Sequence, residues 1–173
     1  MTIRSTRSKL DRRPNRKHIT VLFGDIVGST QLLAEIGDLK WMEMVGDYYA
    51  IVGKEHQTFG GRYLTTAGDG FFAAFDHAAN AVDCGSAILR SAQALGLKMR
   101  IGVHAGECLD MGKQLIGLMI HVGARIAARA AANEVLVSHT VKNEIVDSDR
   151  RFFDRGMHNL KGVPGEWKLF AIR

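Results

Sequence analysis

Two aspartates stand where a phosphate-handling metal site could form. Asp25 ends the apolar, β-branched run HITVLFGDI, and Asp69 lies in the hairpin signal Ala67-Gly68-Asp69-Gly70. Their separation of 44 residues means that only the fold can bring them together. Paired carboxylates supply the oxygen ligands that Mg²⁺ and Mn²⁺ take, and such a site suits in-line attack at phosphorus. The alternative interpretation is a simple turn at Asp69 and a strand-end cap at Asp25.

The loop after the first aspartate has the residues of an anion site. Gly24 and Gly28 leave the backbone bare, and Ser29 or Thr30 is predicted to cap a following helix. Backbone amides of residues 27–30, at the start of that helix, could receive phosphate oxygens.

Basic groups lie in the C-terminal half of the chain. His121 and Arg125 are four residues apart and so share one helical face, among small apolar residues. An arginine in that setting needs an anion, which is either a carboxylate of the protein or a phosphate. Lys161, just before the last predicted hairpin, is either a phosphate contact or a solvent-exposed lysine without a role.

Other chemistries find little support in the sequence. Cys84 and Cys108 are the only cysteines, which excludes a disulfide scaffold, fits a reducing cytosol and offers no recognisable nucleophile setting. No cluster of cysteine and histidine supports a zinc site. His104 follows a strand pattern on the polar side, and we interpret it as structural or as a contact on the sheet face.

Hydrophobic periodicity predicts the element order β-α-β-β-α-β-α-β-α-β-β. The first strand starts at His18, and a single helix with apolar positions at helical spacing from Trp41 runs to Gly60-Gly61. Further helices are predicted over 78–95, over an alanine-rich segment near 117–132, and from the cap Ser138 to about Val146. This mixture of helices and hairpins predicts an α+β fold with helices packed on a largely antiparallel sheet.

Composition and charge narrow the class of protein. The chain has 173 residues with 46% hydrophobic and 24% charged residues, which is typical of one soluble globular domain. Residues 1–17 hold seven basic and one acidic residue, whereas residues 18–173 hold 16 basic and 17 acidic ones. We therefore interpret 1–17 as a basic tail or linker rather than a nucleic-acid or membrane-surface arm, and 18–173 as the functional domain. With no apolar run of membrane-spanning length and no signal peptide, we expect a cytoplasmic protein.

Six blocks along the chain together resemble the catalytic domain of class III nucleotidyl cyclases, the adenylate and guanylate cyclases. They are VLFGDIVGST, TTAGDGFFAAF, RIGVHAGE, GLMIHVGARIAARA, EVLVS and HNLKGVPGEWKLF, in that order from about His18 to the C-terminus. The last two blocks, and the short link before the alanine-rich helix, look like the bacterial subclass that includes many mycobacterial enzymes.

The resemblance implies the ferredoxin-like, palm-type nucleotide cyclase fold and a head-to-tail homodimer with active sites at its interface. It implies two Mg²⁺ or Mn²⁺ ions per site, held by Asp25 and Asp69 with the carbonyl of Ile26. The family's triphosphate loop matches three consecutive residues, Gly28, Ser29 and Thr30.

Two further residues match the family's phosphate contacts, and the resemblance implies that they come from the other subunit. Arg125 matches the arginine that stabilises charge on the α-phosphate in the transition state. Lys161 matches the lysine at the terminal phosphates. His121 replaces an asparagine that orients the ribose, a role that a histidine retains by hydrogen bonding.

The base-specifying positions depart most from the family pattern. Thr65 stands where the family's adenine-reading lysine would lie, and Gln114 aligns with its partner aspartate. A hydroxyl and an amide both donate and accept hydrogen bonds, so they discriminate less between bases. These two residues therefore predict weak base selectivity, and the family resemblance implies that ATP is still favoured over GTP.

Three functions remain for test. The first is an adenylate cyclase that forms 3′,5′-cyclic AMP and pyrophosphate from ATP, with guanylate cyclase as a side activity. The second is a degenerate cyclase module that binds nucleotide or a partner without turnover. The third, nucleic-acid binding through the basic tail, is disfavoured by the near-neutral charge of the rest of the chain.

Overall fold

The computed structural model describes residues 15–112, 114–145 and 149–172. Thirteen helices and strands follow one another in this part of the chain. The first seven are β1 (Asn15–Ile26), α1 (Ser29–Ile36), α2 (Asp38–Thr58), β2 (Tyr63–Ala67), β3 (Gly70–Phe75), α3 (Ala78–Ala94) and β4 (Met99–Asp110). The remaining six are β5 (Leu115–Ile116), α4 (Leu118–Ala127), β6 (Glu134–Ser138), α5 (His139–Glu144), β7 (Phe152–Asn159) and β8 (Glu166–Ile172).

The strands form one mixed sheet with the order β2-β3-β1-β4-β6-β8-β7, and β5 pairs with β4 beside this path. Every pairing is antiparallel except that of β4 with β6. The predicted α+β class and mainly antiparallel sheet are confirmed.

The central strands of the sheet are buried on both faces, whereas the outer strands β2 and β7 are largely exposed. One face packs on α2, α3 and α5, and alternate residues such as Leu22, Ile101 and Val103 lie in that core. The other face receives α4, where Val21 lies near Gly123. Because strand side chains alternate between faces, Asp25 and Arg100 belong to the face that α4 covers.

Close contact between α4 and β4 depends on a glycine. A Cβ at Gly102 would lie 2.1 Å from the backbone nitrogen of Ala127, so no other residue fits without moving the helix. The helix that carries His121 and Arg125 is therefore held directly against the centre of the sheet.

Some predicted elements differ from the structure. β1 begins at Asn15, three residues before the predicted start, and the rest of the predicted tail lies outside the described residues. The prediction of a single first helix is wrong, because Gly37, with φ of 82°, divides that segment into α1 and α2. The two-residue β5 was not predicted. The predicted cap Ser138 is confirmed, since its side chain accepts from the amide of Val141.

None of the described helices combines the length and the apolar character that crossing a bilayer requires.

Candidate functional site

The end of β1 places Asp25 opposite an arginine of β4. The register of the two strands pairs Asp25 with Arg100. Arg100 Nε donates to Asp25 Oδ1 at 2.6 Å and its Nη2 donates to Oδ2 at 2.9 Å. Both side chains are about one-third exposed, at 37% for the arginine and 32% for the aspartate. The pair is a two-point, solvent-accessible ion pair that fixes the orientation of the carboxylate.

The turn between β2 and β3 brings the second aspartate to the same place. Asp25 pairs with Gly70 across β1 and β3, and the amide of Ile26 donates to the carbonyl of Asp69 at 3.2 Å. Ser29 Oγ donates to Asp69 Oδ2. The structure thus gathers Asp25, Ile26, Ser29 and Asp69 at one edge of the sheet, as the sequence predicts.

Tyr48, a buried tyrosine, is affected by the negative charge of the aspartates at this edge. Tyr48 of α2 is fully buried, and its hydroxyl has no hydrogen-bond partner among the described residues. Burial raises the pKa of Tyr48 far above its usual range, and the charges of Tyr49, Asp25 and Asp69 raise the pKa further. The negative charges of Asp25 and Asp69 therefore further disfavour ionisation of the buried Tyr48 hydroxyl.

The donor set at this edge fits a hard divalent cation. Two carboxylates and the Ile26 carbonyl are oxygen donors, and Arg100 balances one of the two negative charges. No group of three or more acidic, histidine or cysteine side chains that could hold a metal occurs in the described ranges. A cation here would complete its coordination with water and phosphate, which is how Mg²⁺ is commonly bound.

The loop predicted to hold phosphate differs in detail from expectation. Gly28, with φ of 72°, adopts the left-handed conformation and precedes α1, which begins at Ser29 without a side-chain cap. The predicted cap at Ser29 or Thr30 is therefore wrong; Ser29 contacts Asp69 instead, and Thr30 is exposed. The amide of Val27 donates to the carbonyl of Lys98 at 2.8 Å, so it is not open to a phosphate. Amides of the first turn of α1 still have no acceptor within the helix.

The two predicted base-specifying residues line one cavity. Thr65 on β2 and Gln114 before β5 face a space of about 240 Å³. Its other walls are mostly apolar and consist of Tyr63, Phe72, Leu115 and Ile120. A mostly apolar cavity with a few polar groups is the usual form of a small-molecule site.

The predicted phosphate contacts Arg125 and Lys161 come together elsewhere. Arg125 Nε donates to the carbonyl of Lys161 at 3.1 Å, and both side chains are exposed, as is His121 one turn earlier on α4. Within residues 15–112, 114–145 and 149–172, no ion pair or hydrogen bond joins Arg125 or Lys161 to Asp25 or Asp69. The chain therefore carries two separate groups of predicted site residues.

These arrangements agree with a family match. The family model of the adenylate and guanylate cyclase catalytic domain matches residues 12–173. The chain belongs to this family.

Curated relatives of this cyclase domain are larger proteins. A putative adenylate cyclase 3 of Rhizobium meliloti (strain 1021) is 27% identical over 86% of the chain and 27% of its own length. A pH-sensitive adenylate cyclase of Mycobacterium tuberculosis is 22% identical over 92% of the chain and 42% of its own length. The cyclase domain thus spans less than half of each of these relatives.

Solved cyclases share the fold of this domain. The adenylyl cyclase CyaB from P. aeruginosa matches with a TM-score of 0.86 at 23% identity, over 94% of this chain and 96% of that one. The guanylate cyclase domain of RhGC from Catenaria anguillulae, solved in complex with GTP, matches with a TM-score of 0.82 at 17% identity, over 92% and 98%.

Sequence reasoning missed two residues of the cyclase domain's site. Arg100 is one of them, although a charged residue inside the otherwise apolar run MRIGV at the start of β4 was a signal. Tyr49 is the other, and its hydroxyl donates to the carbonyl of Gly68 at 2.5 Å, next to Asp69. No local pattern marked that contact.

His104 is structural, as expected, but its predicted place on the polar side is wrong. It is buried, and its Nδ1 lies 2.8 Å from Ser138 Oγ while its ring meets Trp167 edge to face. Burial lowers the pKa of His104 to about 4, with a smaller contribution from His18.

Proposed function

We propose that this domain is an adenylate cyclase that converts ATP to 3′,5′-cyclic AMP and pyrophosphate. In this reaction the ribose 3′-hydroxyl attacks the α-phosphate and pyrophosphate leaves. The gathering of Asp25, Ile26, Ser29 and Asp69 at one sheet edge is the observation that carries the proposal. Such an edge suits a nucleotide whose phosphates approach together with divalent cations.

Asp25, Asp69 and the Ile26 carbonyl would hold two Mg²⁺ or Mn²⁺ ions. When bound, such ions activate the attacking hydroxyl and neutralise charge on the phosphates. Arg100 orients Asp25 from the opposite strand, and Ser29 orients Asp69. The loop formed by Gly28, Ser29 and Thr30 would bind the triphosphate through backbone amides at the start of α1.

The other half of the site would come from a second copy of the domain. Arg125 would stabilise charge that develops on the α-phosphate, Lys161 would bind the terminal phosphates, and His121 would hydrogen-bond the ribose. This is supported by the separation of Arg125 and Lys161 from the aspartates within one chain. It is also supported by the absence of an acidic partner for either cation among the described residues.

Base recognition would take place in the cavity between Thr65 and Gln114. Each of these side chains can donate or accept a hydrogen bond, so neither imposes the fixed pattern that a lysine and an aspartate impose. We expect ATP to be preferred over GTP by a modest factor. The free, buried thiols of Cys84 and Cys108 support a reducing, cytoplasmic setting for the reaction.

The test is to incubate the full chain with ATP, and separately with GTP, in Mn²⁺ and to identify products by mass. Cyclic AMP in excess of cyclic GMP, lost on chelation of the metal, is the expected result. The absence of either product at high protein concentration would overturn the proposal. High concentration matters because a site shared between copies depends on their association.

A nucleotide-binding module without turnover is the second candidate. The two-point contact of Arg100 favours it, because a metal must compete with that arginine for both oxygens of Asp25. The same experiment separates the two functions. Calorimetric binding of ATP without any cyclic product would select the module.

A further inference from the structure

Asp110, the last residue of β4, is a nearly buried carboxylate on which three separate segments converge. Its side chain is 5% exposed. Lys17 Nζ from β1 donates to Oδ2 at 2.8 Å, while the Tyr63 hydroxyl from β2 and the Gly112 amide each donate to Oδ1 at 2.8 Å. Arg62 Nη2 lies farther away, at 3.5 Å. We call Asp110 with Lys17 and Tyr63 the Asp110 hub.

The Asp110 hub is connected to two parts of the lining of the base cavity. Tyr63 lines that cavity and lies two residues before Thr65 on the same strand. Gln114 also lines the cavity, and its carbonyl accepts from the amide of Met111 at 2.9 Å, directly after Asp110. The carboxylate therefore neighbours the residue whose amide holds the Gln114 carbonyl, and its bond from the Tyr63 hydroxyl holds the strand that carries Thr65.

The positive charge of Lys17 stabilises the ionised form of Asp110. The ammonium of Lys17, the Gly112 amide and the Tyr63 hydroxyl hold the pKa of Asp110 well below its usual range. A buried carboxylate that loses its best cation must recruit water or a new partner, because an uncompensated buried charge is strongly unfavourable. Arg62, at 3.5 Å, would have to move closer, and Tyr63 is its neighbour on the chain.

We propose that Asp110 is a positioning residue for the base cavity, and that Lys17 transmits the placement of the N-terminal end of β1 to that cavity. The proposal rests on the proposed function, since it deepens the assignment of the cavity between Thr65 and Gln114 as the base site. The hub would fix the distance between the two base-reading side chains without itself touching the nucleotide.

The experiment compares a ligand that has a base with one that has none. The full chain and the variants Lys17→Met, Tyr63→Phe and Asp110→Asn are titrated calorimetrically in Mn²⁺ with ATP in its 3′-deoxy form, which cannot cyclise because it lacks the attacking hydroxyl, and with inorganic tripolyphosphate. We expect Lys17→Met and Asp110→Asn to weaken ATP binding about tenfold, equivalent to about 1.4 kcal/mol. Tripolyphosphate binding should change by under about twofold, because the phosphate loop is untouched.

Arg16→Met is the matched control. Arg16 neighbours Lys17 on β1, and its ion pair with Glu107 joins the same two strands. Both side chains of this pair are largely exposed, at 77% for Arg16 and 63% for Glu107. Removing this charge should leave ATP binding unchanged. Tyr63→Phe, which keeps the ring and loses only the hydroxyl, covers the case in which Asp110→Asn fails to fold.

Equal weakening of ATP and tripolyphosphate in the hub variants would overturn the proposal, and so would unchanged binding of ATP. A wild-type protein that binds ATP no more tightly than tripolyphosphate would also overturn it, because no base site would then exist. Failure of the proposed function gives a different result, namely that no cyclic product forms. The ratio of the ATP affinity to the tripolyphosphate affinity would still show whether the Asp110 hub positions the base cavity.

Discussion

Two groups of predicted site residues differ in how the chain itself satisfies their charges. The acidic half-site consists of Asp25 and Asp69, and each carboxylate already has a side-chain donor, Arg100 for one and Ser29 for the other. The basic half-site consists of Arg125 and Lys161, which are exposed and joined by one bond from a guanidinium to a carbonyl. One group is held in place by side chains, whereas the other has its charged ends open to solvent.

This difference indicates which half-site is organised before a substrate arrives. Donors and acceptors that are fixed in advance cost no reorganisation during a reaction. In the acidic half-site both carboxylates are positioned within a single chain, and only their contacts with Arg100 and Ser29 would have to change when a metal binds. The basic half-site would be ordered by the triphosphate and by the neighbouring copy of the domain, so that activity would depend on both nucleotide and protein concentration.

The largest effect is expected from the acidic half-site. Asp25→Asn keeps the size of the side chain but removes its charge, and we expect the rate of cyclic nucleotide formation to fall about a thousandfold. Asp154→Asn is the matched control, because that aspartate lies in an exposed ion pair with Lys168 on the outer hairpin. A variant at Asp25 that keeps a tenth or more of the activity would contradict the role of the acidic half-site.

Mixing two inactive variants tests whether the half-sites belong to different copies. Asp25→Ala and Arg125→Ala should each be inactive, whereas an equal mixture should recover about a quarter of the wild-type activity through dimers that hold one intact site. Cyclic product is measured as a function of the mixing ratio. If no ratio restores activity, the shared site is wrong.

Acid should weaken the surroundings of the basic half-site through His104. This histidine is buried against Trp167, whose indole nitrogen donates to the carbonyl of Pro164 in the turn after Lys161. Because the pKa is about 4 in the folded protein and about 6.5 in the unfolded one, the unfolded state binds more protons below pH 6.5. The contribution of the neutral ring to stability is complete above pH 6.5 and is lost as the pH falls towards 4, by up to about 3 kcal/mol.

The measurement is the unfolding temperature of the wild type and of His104→Gln between pH 7 and pH 5. The wild type should lose more of its stability on acidification than the variant does. Burial also lowers the pKa of His56, which stays in both proteins and gives both a residual slope of the same sign. Parallel curves would show that His104 does not titrate in this range.

The smallest effect is expected at the turn that carries Asp69. Tyr49→Phe keeps the ring and removes the hydroxyl that donates to the Gly68 carbonyl, at a cost of about 1 kcal/mol. We expect a severalfold higher Mn²⁺ concentration at half-maximal activity, with little change in the maximal rate. Thr58→Ala, which removes an exposed hydroxyl bond to Lys54 on the same helix, should leave that concentration unaltered.

Much of the fold follows from local signals in the sequence. The β2–β3 hairpin was predicted from its glycines and β-branched residues, and α3 from an apolar face that ends near Gly96. Gly37 is the same kind of signal, but the helical spacing was counted only from Trp41, so the break before α2 was missed. The two-residue β5 is too short for any periodicity and exists only because β4 lies beside it.

The site is harder to predict because its contacts join distant segments. Asp25 meets Arg100 only through the register of β1 and β4, which are 75 residues apart at this point. Ser29 was expected to serve its own helix, yet it bonds a carboxylate from another turn. Local sequence propensity predicts the secondary structure around a residue, whereas the register of the sheet determines which distant side chain it contacts.

The ladder between β1 and β4 has a consequence for how the molecule forms over time. It pairs twelve residues of each strand without a break, from Asn15 with Asp110 to Ile26 with Met99. Closing such long loops makes the search for this pairing slow compared with forming a hairpin or a helix. A slip by one residue would turn Asp25 to the opposite face and break its pairing with Arg100. Substitutions that slow the search would therefore lower the yield of active protein during synthesis while leaving each correctly folded molecule at full rate.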